Sequence, residues 1–400
     1  MSIQVYVDER GSTMFKTKVG YSQNADACQN GAESAAMAQL ADAKVGLLFT
    51  SCVLDQAEVV KGIKSVADTH VLGCTSSAAI CVKDGYLNSE SGYSGIMSFG
   101  GDVEVGVAGA AKQEGDCARA IGKKLAAEAL SQLGGLEPDY FFMTASPAEE
   151  EKYLAGIQDV IGDVPVFGGS AADNTVEGKW SIIFDDQIFA DGCAIALFAS
   201  KAPMVNLYTG QFRESDNFGV MTKVVDDRCL VEIDGEPALK KYCEWTGKAE
   251  ADCMGGNLLV ETIFQPLGVK DITGRLTAIR HPMAANDDLS MNIGAQLIEK
   301  TAVIQMEMTP DEMVAANPKT IKEVDEKLDG GADSYFLVHC GGRRLGLQLV
   351  GKEEEIYPAV KEVTGDKEFL MVFTFGEYGT AEHSANTVGG LSLSFTGFKA

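Results

Sequence analysis

Three stretches of the sequence place small polar residues beside glycines, a combination typical of ligand-binding turns. Glycine lets a bound molecule approach the backbone, while hydroxyl and N–H groups supply directional hydrogen bonds. The predicted ligand contacts of the first two stretches are Gly73, Cys74, Thr75 and Ser76, then Gly168, Gly169, Ser170, Asp173 and Asn174. Those of the third are Cys340, Gly342, Arg343, Gly376 and Glu377. The alternative interpretation is that these residues form ordinary turns at strand ends.

The third stretch alone joins a cation to an anion. Arg343 and Glu377 each follow an apolar run, and we expect both at one rim of a sheet. A guanidinium can hold a carboxylate through two parallel bonds, and a glutamate can accept an ammonium. The pair therefore predicts an amino-acid-like ligand, unless the two side chains pair with each other. His383 and Asn386 are further candidates for this pocket.

Catalytic and metal-binding patterns are weak in this sequence. Cys74 or Cys340 is a possible nucleophile and His339 or His383 a possible base, but no G-x-S-x-G motif is present. The ten cysteines contain no C-x-x-C pair, so we predict reduced, mostly buried thiols and no metal site. The prediction is a protein without enzymatic activity, with a hydrolase as a distant alternative.

Haem is the strongest alternative cofactor. The possible imidazole ligands are His70, His281, His339 and His383, with Cys340 as a possible thiolate ligand. The sequence has no C-x-x-C-H motif, so any haem would be bound noncovalently. His339 alternates with apolar residues, which is more typical of a core histidine.

The candidate residues belong to a module of strand, helix, strand and glycine turn that occurs three times in the sequence. The first two copies share one offset, 95 residues, both at Ser51 and Ser146 and at Gly73 and Gly168. A third copy has strand-like runs at 335–340 and 369–373. The pattern predicts an α/β fold of duplicated β-α-β-β modules, with mixed sheets flanked by helices in two intimately packed domains.

Helix starts within the modules are marked by capping signals. Asp55 precedes one helix, and Ser146-Pro147 and Thr309-Pro310 each begin a stretch with a later glutamate. Pro318 is expected to end the helix that follows Thr309. In a right-handed β-α-β unit the two strand ends and the helix start lie at one edge, so each copy should form a rim.

Composition narrows the possible partners. Formal net charge is −25, with 33 basic and 58 acidic residues, which argues against nucleic acid and anionic membrane surfaces. No apolar stretch has the length of a membrane span, and the N-terminus lacks the pattern of a signal peptide. We therefore predict a cytoplasmic protein without membrane insertion.

In order along the chain, these motifs resemble the FIST family, which pairs a FIST N with a FIST C domain. The resemblance rests on 71–76 with Asp84-Gly85, 166–173, 233–239 with Tyr242, 340–343, and 375–377 with His383 and Asn386. It implies domains at 1–225 and 226–400. It departs at Ala78-Ala79, where the family usually has Gly-Glu.

The resemblance implies a sensory protein that binds a small ligand for intracellular signal transduction. FIST domains are often fused to signalling outputs, and because this chain ends soon after the second domain, we expect a stand-alone sensor. Its implied partner is a separate signalling protein, such as a histidine kinase or a chemotaxis component. Some bacterial relatives are haem-binding nitric-oxide sensors, and eukaryotic relatives carry an F-box. A haem-based sensor and a protein-recognition scaffold are therefore the alternatives.

Overall fold

The computed structural model describes residues 14–380 and 385–400, and three of its sheets share one strand pattern. Each has two antiparallel strands, then a central parallel pair, then a short hairpin. In spatial order the first sheet contains β1 (Lys16–Ser22), β6 (Ser94–Gly100), β2 (Ala43–Ser51), β3 (His70–Ser76), β10 (Ile182–Phe184) and β11 (Gln187–Phe189). The second contains β7 (Glu104–Ala111), β12 (Gly192–Ala199), β8 (Tyr140–Ala145), β9 (Val166–Gly169), β24 (Glu377–Thr380) and β25 (Asn386–Gly389). The third contains β13 (Met204–Thr209), β26 (Leu393–Phe398), β22 (Ser334–Cys340), β23 (Glu368–Thr374), β4 (Ile80–Val82) and β5 (Gly85–Leu87).

The three parallel pairs are the strands predicted from the three modules. Each pair is followed by a hairpin that joins a different sheet. Hairpin β4–β5 adds to the third sheet, β10–β11 to the first, and β24–β25 to the second. Each module thus supplies the edge hairpin of another module's sheet: the first to the third, the second to the first, and the third to the second. This exchange joins the two predicted domains, because each domain contributes strands to a sheet of the other.

Helices cover the outer face of each of these sheets. They are α1 (Ala27–Met37) and α2 (Gln56–Lys64) on the first sheet, α3 (Ala118–Gln132) and α4 (Glu150–Ile161) on the second, and α8 (Pro310–Lys327), α9 (Gly341–Leu349) and α10 (Ile356–Thr364) on the third. The predicted α/β class with helix-flanked mixed sheets is confirmed. Within the described residues, no helix combines the length and the hydrophobicity that a bilayer crossing needs.

The inner faces of the three sheets share one hydrophobic core. Phe49, Phe142 and Phe336, one from the parallel pair of each sheet, contact one another there. Their ring centroids are 6.2, 5.5 and 6.0 Å apart, two of the pairs edge to face. Such contacts add to the burial energy of each ring, so the core fixes the sheets relative to one another.

A fourth sheet is inserted between the second and third modules. In spatial order it contains β18 (Leu276–Arg280), β17 (Leu267–Lys270), β21 (Ala302–Glu307), β14 (Arg213–Val225), β15 (Cys229–Ile233), β20 (Met291–Ile293) and β19 (Pro282–Ala285), with β16 (Glu236–Pro237) paired to β15. Its helices are α5 (Ala238–Thr246), α6 (Glu250–Cys253) and α7 (Asn257–Glu261). The boundary predicted at 225 falls at the end of β14 and stays a prediction.

Two of the predicted helix starts are confirmed and one is wrong. Asp55 accepts hydrogen bonds from the first turn of α2, and Thr309 forms a complete capping box on α8. Ser146 does not cap α4, which begins only at Glu150. The hydroxyl of Ser146 is instead hydrogen-bonded to Asp191, and it also accepts the N–H of Gly192 at 3.2 Å.

The prediction that Pro318 ends its helix is wrong. Helix α8 continues through this residue to Lys327. A proline inside a helix leaves the carbonyl four residues earlier without its usual donor, here the carbonyl of Val314. The buried side chain of Asn317 supplies that donor, with Nδ2 at 3.1 Å from Val314 O and 3.4 Å from Met313 O.

Candidate functional site

The turns that follow the three parallel pairs hydrogen-bond to one another in a cycle. The contacts are Ser77 N to Phe373 O at 2.8 Å, Ala172 N to Thr75 O at 2.9 Å and Ser170 N to Gly376 O at 2.8 Å. The three predicted rims are therefore parts of one site, because each turn is held by the other two.

A cavity of about 240 Å³ lies against these turns, and we call it the central cavity. Each turn contributes to its wall, through Ser77, Asn174 and Phe375. The starts of α4 and α9 and residues of the fourth sheet complete the lining. Its volume is slightly below the range of pockets for drug-sized ligands, so it suits a small metabolite.

One part of the wall is the start of α9, which carries positive potential. Gly341 and Gly342 follow β22 without a loop, and a Cβ on Gly342 would lie 3.0 Å from Leu391. Arg344 lies in the next turn and is only 4% exposed. It donates to Glu353, while its Nε has no hydrogen-bond partner among the described residues. A buried donor without a partner is costly in free energy, but this nitrogen lies beneath the cavity surface.

A second part of the wall is the start of α4, which carries negative charge. Glu150 is 2% exposed and accepts from Ser170 Oγ at 2.9 Å, Ala148 N at 2.8 Å and Arg228 Nη2 at 2.9 Å. Burial and the neighbouring Glu151 raise the pKa of Glu150, and Arg228 opposes that rise. The cavity thus has a carboxylate whose charge depends on its partners.

The remaining wall is mainly apolar, with one neutral histidine. Burial lowers the pKa of His281 to about 4, so the ring is uncharged at neutral pH. Its Nε2 lies 2.8 Å from Leu259 O and therefore carries the proton, which leaves Nδ1 as an acceptor. The apolar lining comes from Pro147, Val176, Trp180, Leu259, Met283, Leu345 and Phe375.

Behind the cavity wall lies a buried cluster of Cys340, Glu377 and Arg343. Cys340 lines the cavity, and its Sγ accepts from Gly342 N at 3.3 Å and Leu391 N at 3.2 Å. Glu377 lies near that thiol, and burial raises the pKa of its carboxyl. Of the three members of this cluster, only Cys340 lines the central cavity.

The structure places Arg343, predicted at a rim beside Glu377, in the interior. Its side chain is fully buried, with Nη1 at 2.8 Å from Gly210 O and the guanidinium 5.4 Å from the centre of the Phe212 ring. Glu377 is also fully buried and accepts from Thr374 Oγ1 and from Ser392 N. Neither side chain lines the central cavity. Successive residues of a helix point about 100° apart, so Arg344 faces the cavity and Arg343 faces the core.

The predicted contacts of the first module also lie in the interior. Gly73, Cys74, Thr75 and Ser76 are buried within β3. A Cβ on Gly73 would lie 1.8 Å from Leu48 O, so this glycine serves close approach of the parallel strands. The hydroxyls of Thr75 and Ser76 are hydrogen-bonded to neighbouring strands and turns. The exchanged hairpins cover these strand ends, and the role of the four residues as ligand contacts stays a prediction.

Of the predicted contacts in the second module, only Asn174 lines the cavity. Gly168 and Gly169 lie in β9, and Ser170 is buried between Glu150 and Tyr378. Asp173 is fully buried, and its carboxylate accepts four backbone N–H groups from residues 175–179.

The remaining predicted residues divide between the cavity and other places. Cys340 and Gly342 line the cavity, and Gly376 packs beside it against Ser170. Asn386 lies in β25, where it bonds to Val164 and Val166, away from the central cavity. His383 lies outside the described residues.

The three described histidines lie in three different places. His70 is half-exposed and bonded to Asp185, and His339 is fully buried against Phe373. Of the described histidines only His281 lines the central cavity, and Nε2 of that ring is occupied by a backbone carbonyl. A cavity of about 240 Å³ is also small for a macrocycle. In the described part of the chain, no group of three or more His, Cys, Asp or Glu side chains is placed to hold a metal ion.

Several residues of the cavity were missed from the sequence. They are Ser77, Glu150, Arg228 and Arg344, while His281 was named only as a possible haem ligand. Ser77 and Arg344 are direct sequence neighbours of predicted residues, so the same glycine-turn motifs could have indicated them. Arg228 and His281 come from the inserted sheet, whose position beside the three modules has no signature in the local pattern.

Comparison with known proteins agrees with the motifs. The FIST N domain matches residues 44–236 and the FIST C domain matches residues 238–380. The chain belongs to the FIST family. FIST domains are associated with sensing and signal transduction. Arg228 comes from the matched FIST N segment and His281 from the FIST C segment, so the central cavity of this FIST protein is built by both.

Individual relatives add little detail on function. An uncharacterized protein of Methanocaldococcus jannaschii is 21% identical over 326 residues, which are 75% of this chain and 60% of that protein. The FIST chain thus spans less than two thirds of the length of this relative. Two cyanuric acid hydrolase structures, one of them from A. caulinodans, align over 97% of this chain and 100% of theirs. Their identity is 9% and their TM-scores are 0.37 and 0.33, too low to carry a conclusion.

Proposed function

We propose that this FIST protein is a sensor that binds a small, amino-acid-like metabolite in the central cavity. The observation that carries the proposal is that a buried arginine, Arg344, and a buried carboxylate, Glu150, line the same cavity. One group suits a ligand carboxylate and the other a ligand ammonium. The role predicted for Arg343 and Glu377 is therefore assigned to Arg344 and Glu150.

The carboxylate subsite is formed by Arg344 at the start of α9. The amino-terminal end of a helix favours anions through its dipole, and Arg344 adds a planar set of donors. Glu353 accepts from the same guanidinium and holds it in place. A ligand carboxylate would therefore lie against the start of α9.

The ammonium subsite is formed by Glu150, with Asn174 and the acceptor Nδ1 of His281 as polar neighbours in the wall. Glu150 also holds Arg228, so a ligand ammonium would share the carboxylate with this guanidinium. The apolar wall between the subsites favours an uncharged side chain. We therefore expect aliphatic or methionine-like amino acids to bind more tightly than acidic ones.

The proposal is tested by calorimetric titration of the full chain with L-leucine, L-methionine and L-aspartate. Isoamylamine, which lacks the carboxylate of leucine, and isocaproate, which lacks its ammonium, are the matched ligand controls. We expect binding of leucine or methionine, at least tenfold weaker binding of each control, and at least tenfold loss in Arg344→Gln. Arg119→Gln changes an exposed arginine paired with Asp159 and should leave affinity unchanged. Equal binding of leucine and isoamylamine would overturn the carboxylate assignment.

A protein-recognition role is favoured by a second observation. Val220, Ile272 and Ile298 are exposed around a groove of about 840 Å³ beside the fourth sheet. Exposed apolar patches commonly mark protein interaction sites. We propose that a separate signalling protein, such as a histidine kinase or a chemotaxis component, receives the signal there. Ile272→Asp should abolish co-purification with that partner and leave ligand affinity unchanged, whereas retained co-purification would contradict this location.

A further inference from the structure

We propose that the groove beside the fourth sheet docks an aliphatic segment of the partner protein that carries a carboxylate, and that Arg280 binds this carboxylate. The proposal rests on the partner role proposed above. It deepens that role, because it assigns the chemistry that the partner presents and the residue that recognises it. It makes no use of the amino-acid site in the central cavity.

Arg280 is a buried arginine with unused hydrogen-bond donors. It ends β18 and is 9% exposed, and its Nε donates to Gln296 O at 2.9 Å. Its Nη1 donates to Ile279 O at 3.2 Å and to Val388 O at 3.1 Å. These bonds use the donors of Nε and Nη1, whereas the two N–H groups of Nη2 bond to no described residue. Arg280 lines the groove, and its Nη2 is not enclosed by the protein as the unpartnered Nε of Arg344 is.

The positive charge of Arg280 lacks a carboxylate of its own. A buried cation requires a nearby anion. Glu151 attracts Arg280, but its carboxylate is already held by Arg228 at 2.6 Å and by Gln296 N at 2.7 Å. The other acid of the groove wall, Asp271, accepts backbone N–H groups of its own turn. A carboxylate that enters the groove would therefore supply the acceptor that Nη2 lacks.

A second cation lies at the same groove. Lys300 lines it, is exposed and forms no ion pair with a described residue. Lys270, the third cation of the wall, is paired with Glu214 at 2.6 Å. Because the whole chain has a formal net charge of −25, two cations without a carboxylate partner make this groove a local exception. Such charge complementarity favours an acidic partner and excludes basic ones.

The apolar side chains of the groove indicate what carries the carboxylate. Ile272 is fully exposed, Ile298 is 69% exposed and Val220 is 40% exposed. Buried apolar residues line the same groove, namely Leu154, Met221, Val269, Leu297 and Val388. A small anion on Arg280 would leave the exposed isoleucines in water. A protein segment with aliphatic residues beside its carboxylate covers them, which is the usual reason for an exposed apolar patch.

Hydrogen bonds between polar groups join the groove to the central cavity. Gln296 accepts from Arg280 through its carbonyl and donates its N–H to Glu151 at 2.7 Å. Arg228 then joins Glu151 to Glu150 in the cavity wall. A partner bound to Arg280 is thus in contact with the network that holds the carboxylate of the cavity wall, as reception of a signal from the cavity requires.

The test is calorimetric titration of the full chain with blocked pentapeptides. The acidic probe is acetyl-Ser-Leu-Glu-Leu-Ser-amide, and its neutral isostere has glutamine in place of glutamate. Both lack the free ammonium and the terminal carboxylate that the central cavity is proposed to bind. We expect the acidic probe to bind about tenfold more tightly than the neutral probe, the ratio that corresponds to one hydrogen bond to a charged group.

Variants of the groove locate the site. Arg280→Gln should remove the preference for the acidic probe. Ile272→Asp should weaken both probes, because it removes an apolar contact and adds a negative charge at the rim. Lys300→Gln changes an exposed residue, so the fold is kept, and it should reduce the preference for the acidic probe about threefold. Lys124→Gln changes an exposed lysine of α3 and is the matched control, with both affinities unchanged.

The wild-type titrations decide the outcome even where Arg280→Gln folds poorly. Equal affinities for the two probes, or no binding of either, overturn the proposal. Tighter binding of n-octanoate than of the acidic probe would make the occupant a small amphipathic anion and overturn the protein segment. Co-purification that is lost in Ile272→Asp, together with equal probe affinities, would remove the carboxylate and leave the docking location standing. Absence of leucine binding with a clear preference for the acidic probe would remove only the cavity proposal.

Discussion

Replacing Arg228 by methionine would measure how much the Arg228–Glu150 charge pair at the central cavity stabilises the fold. Arg228 donates to Glu150 at 2.9 Å, to Glu151 at 2.6 Å and to Gly294 O at 2.6 Å. Its side chain is 22% exposed, against 2% for Glu150. Removing one member of a buried pair costs about 3 to 5 kcal/mol because the other charge stays buried without compensation. Since Arg228 is partly exposed and Glu150 keeps Ser170 as a donor, we expect the lower end, about 3 kcal/mol.

The cost of Arg228→Met should depend on pH with a defined sign. The pKa of Glu150 is already raised in the folded protein by burial and by Glu151, and loss of Arg228 raises it further. A folded state that binds a proton more tightly than the unfolded state loses stability as pH rises between the two pKa values. The penalty should therefore be full at pH 8 and shrink toward pH 5, where Glu150 becomes protonated.

The assay is equilibrium urea unfolding, followed by the fluorescence of Trp180 in the cavity wall. Glu150→Gln combined with Arg228→Met removes both charges and should recover most of the lost free energy of unfolding at pH 8. Arg119→Met is the matched control, because this arginine is exposed and should show little effect. A penalty for Arg228→Met that is equal at pH 5 and pH 8, and is not relieved by Glu150→Gln, would refute the reasoning.

Three further predictions concern the fold and the turns. Asn317→Ala should lower the free energy of unfolding by about 1 to 2 kcal/mol, because the carbonyl freed by Pro318 loses its donor; adding Pro318→Ala should restore part of it, and no loss in the urea midpoint would contradict this. Phe142→Ala should cost about 3 to 5 kcal/mol in the same assay, since it opens the contact of the three sheets. Asp173→Ala should speed hydrogen exchange of the amides at 175–179 measured by mass spectrometry, because their acceptor is lost; unchanged protection would be evidence against that role.

The repeating pattern of the sequence was sufficient to predict the modules. Apolar runs with glycine ends placed β2, β3, β8, β9, β22 and β23 correctly, because each is buried on both faces and reads as a continuous apolar segment. The duplication itself stays a prediction. Helix α9 was missed, since its segment Gly341–Leu349 opens with two glycines and contains a third, and glycine has a low helix propensity.

The site was predicted less well than the fold, for physical reasons. The hairpin exchange closes the rims of the first two modules, and this depends on pairing between segments almost 300 residues apart, such as Ile80 with Val372. Whether Arg343 or Arg344 faces the cavity depends on where helix α9 begins, and the local sequence pattern does not determine that start. Cys340, Gly342 and Asn174 were found because they lie in the turns themselves.

A crystal structure of the full chain grown with L-leucine, or with whichever amino acid titrates most tightly, would locate the ligand of this FIST protein. We expect a ligand in the central cavity, with its carboxylate within hydrogen-bond distance of the Arg344 guanidinium and its ammonium on Glu150. A ligand bound in the groove beside the fourth sheet, or one in the cavity with its carboxylate on Arg228, would contradict it.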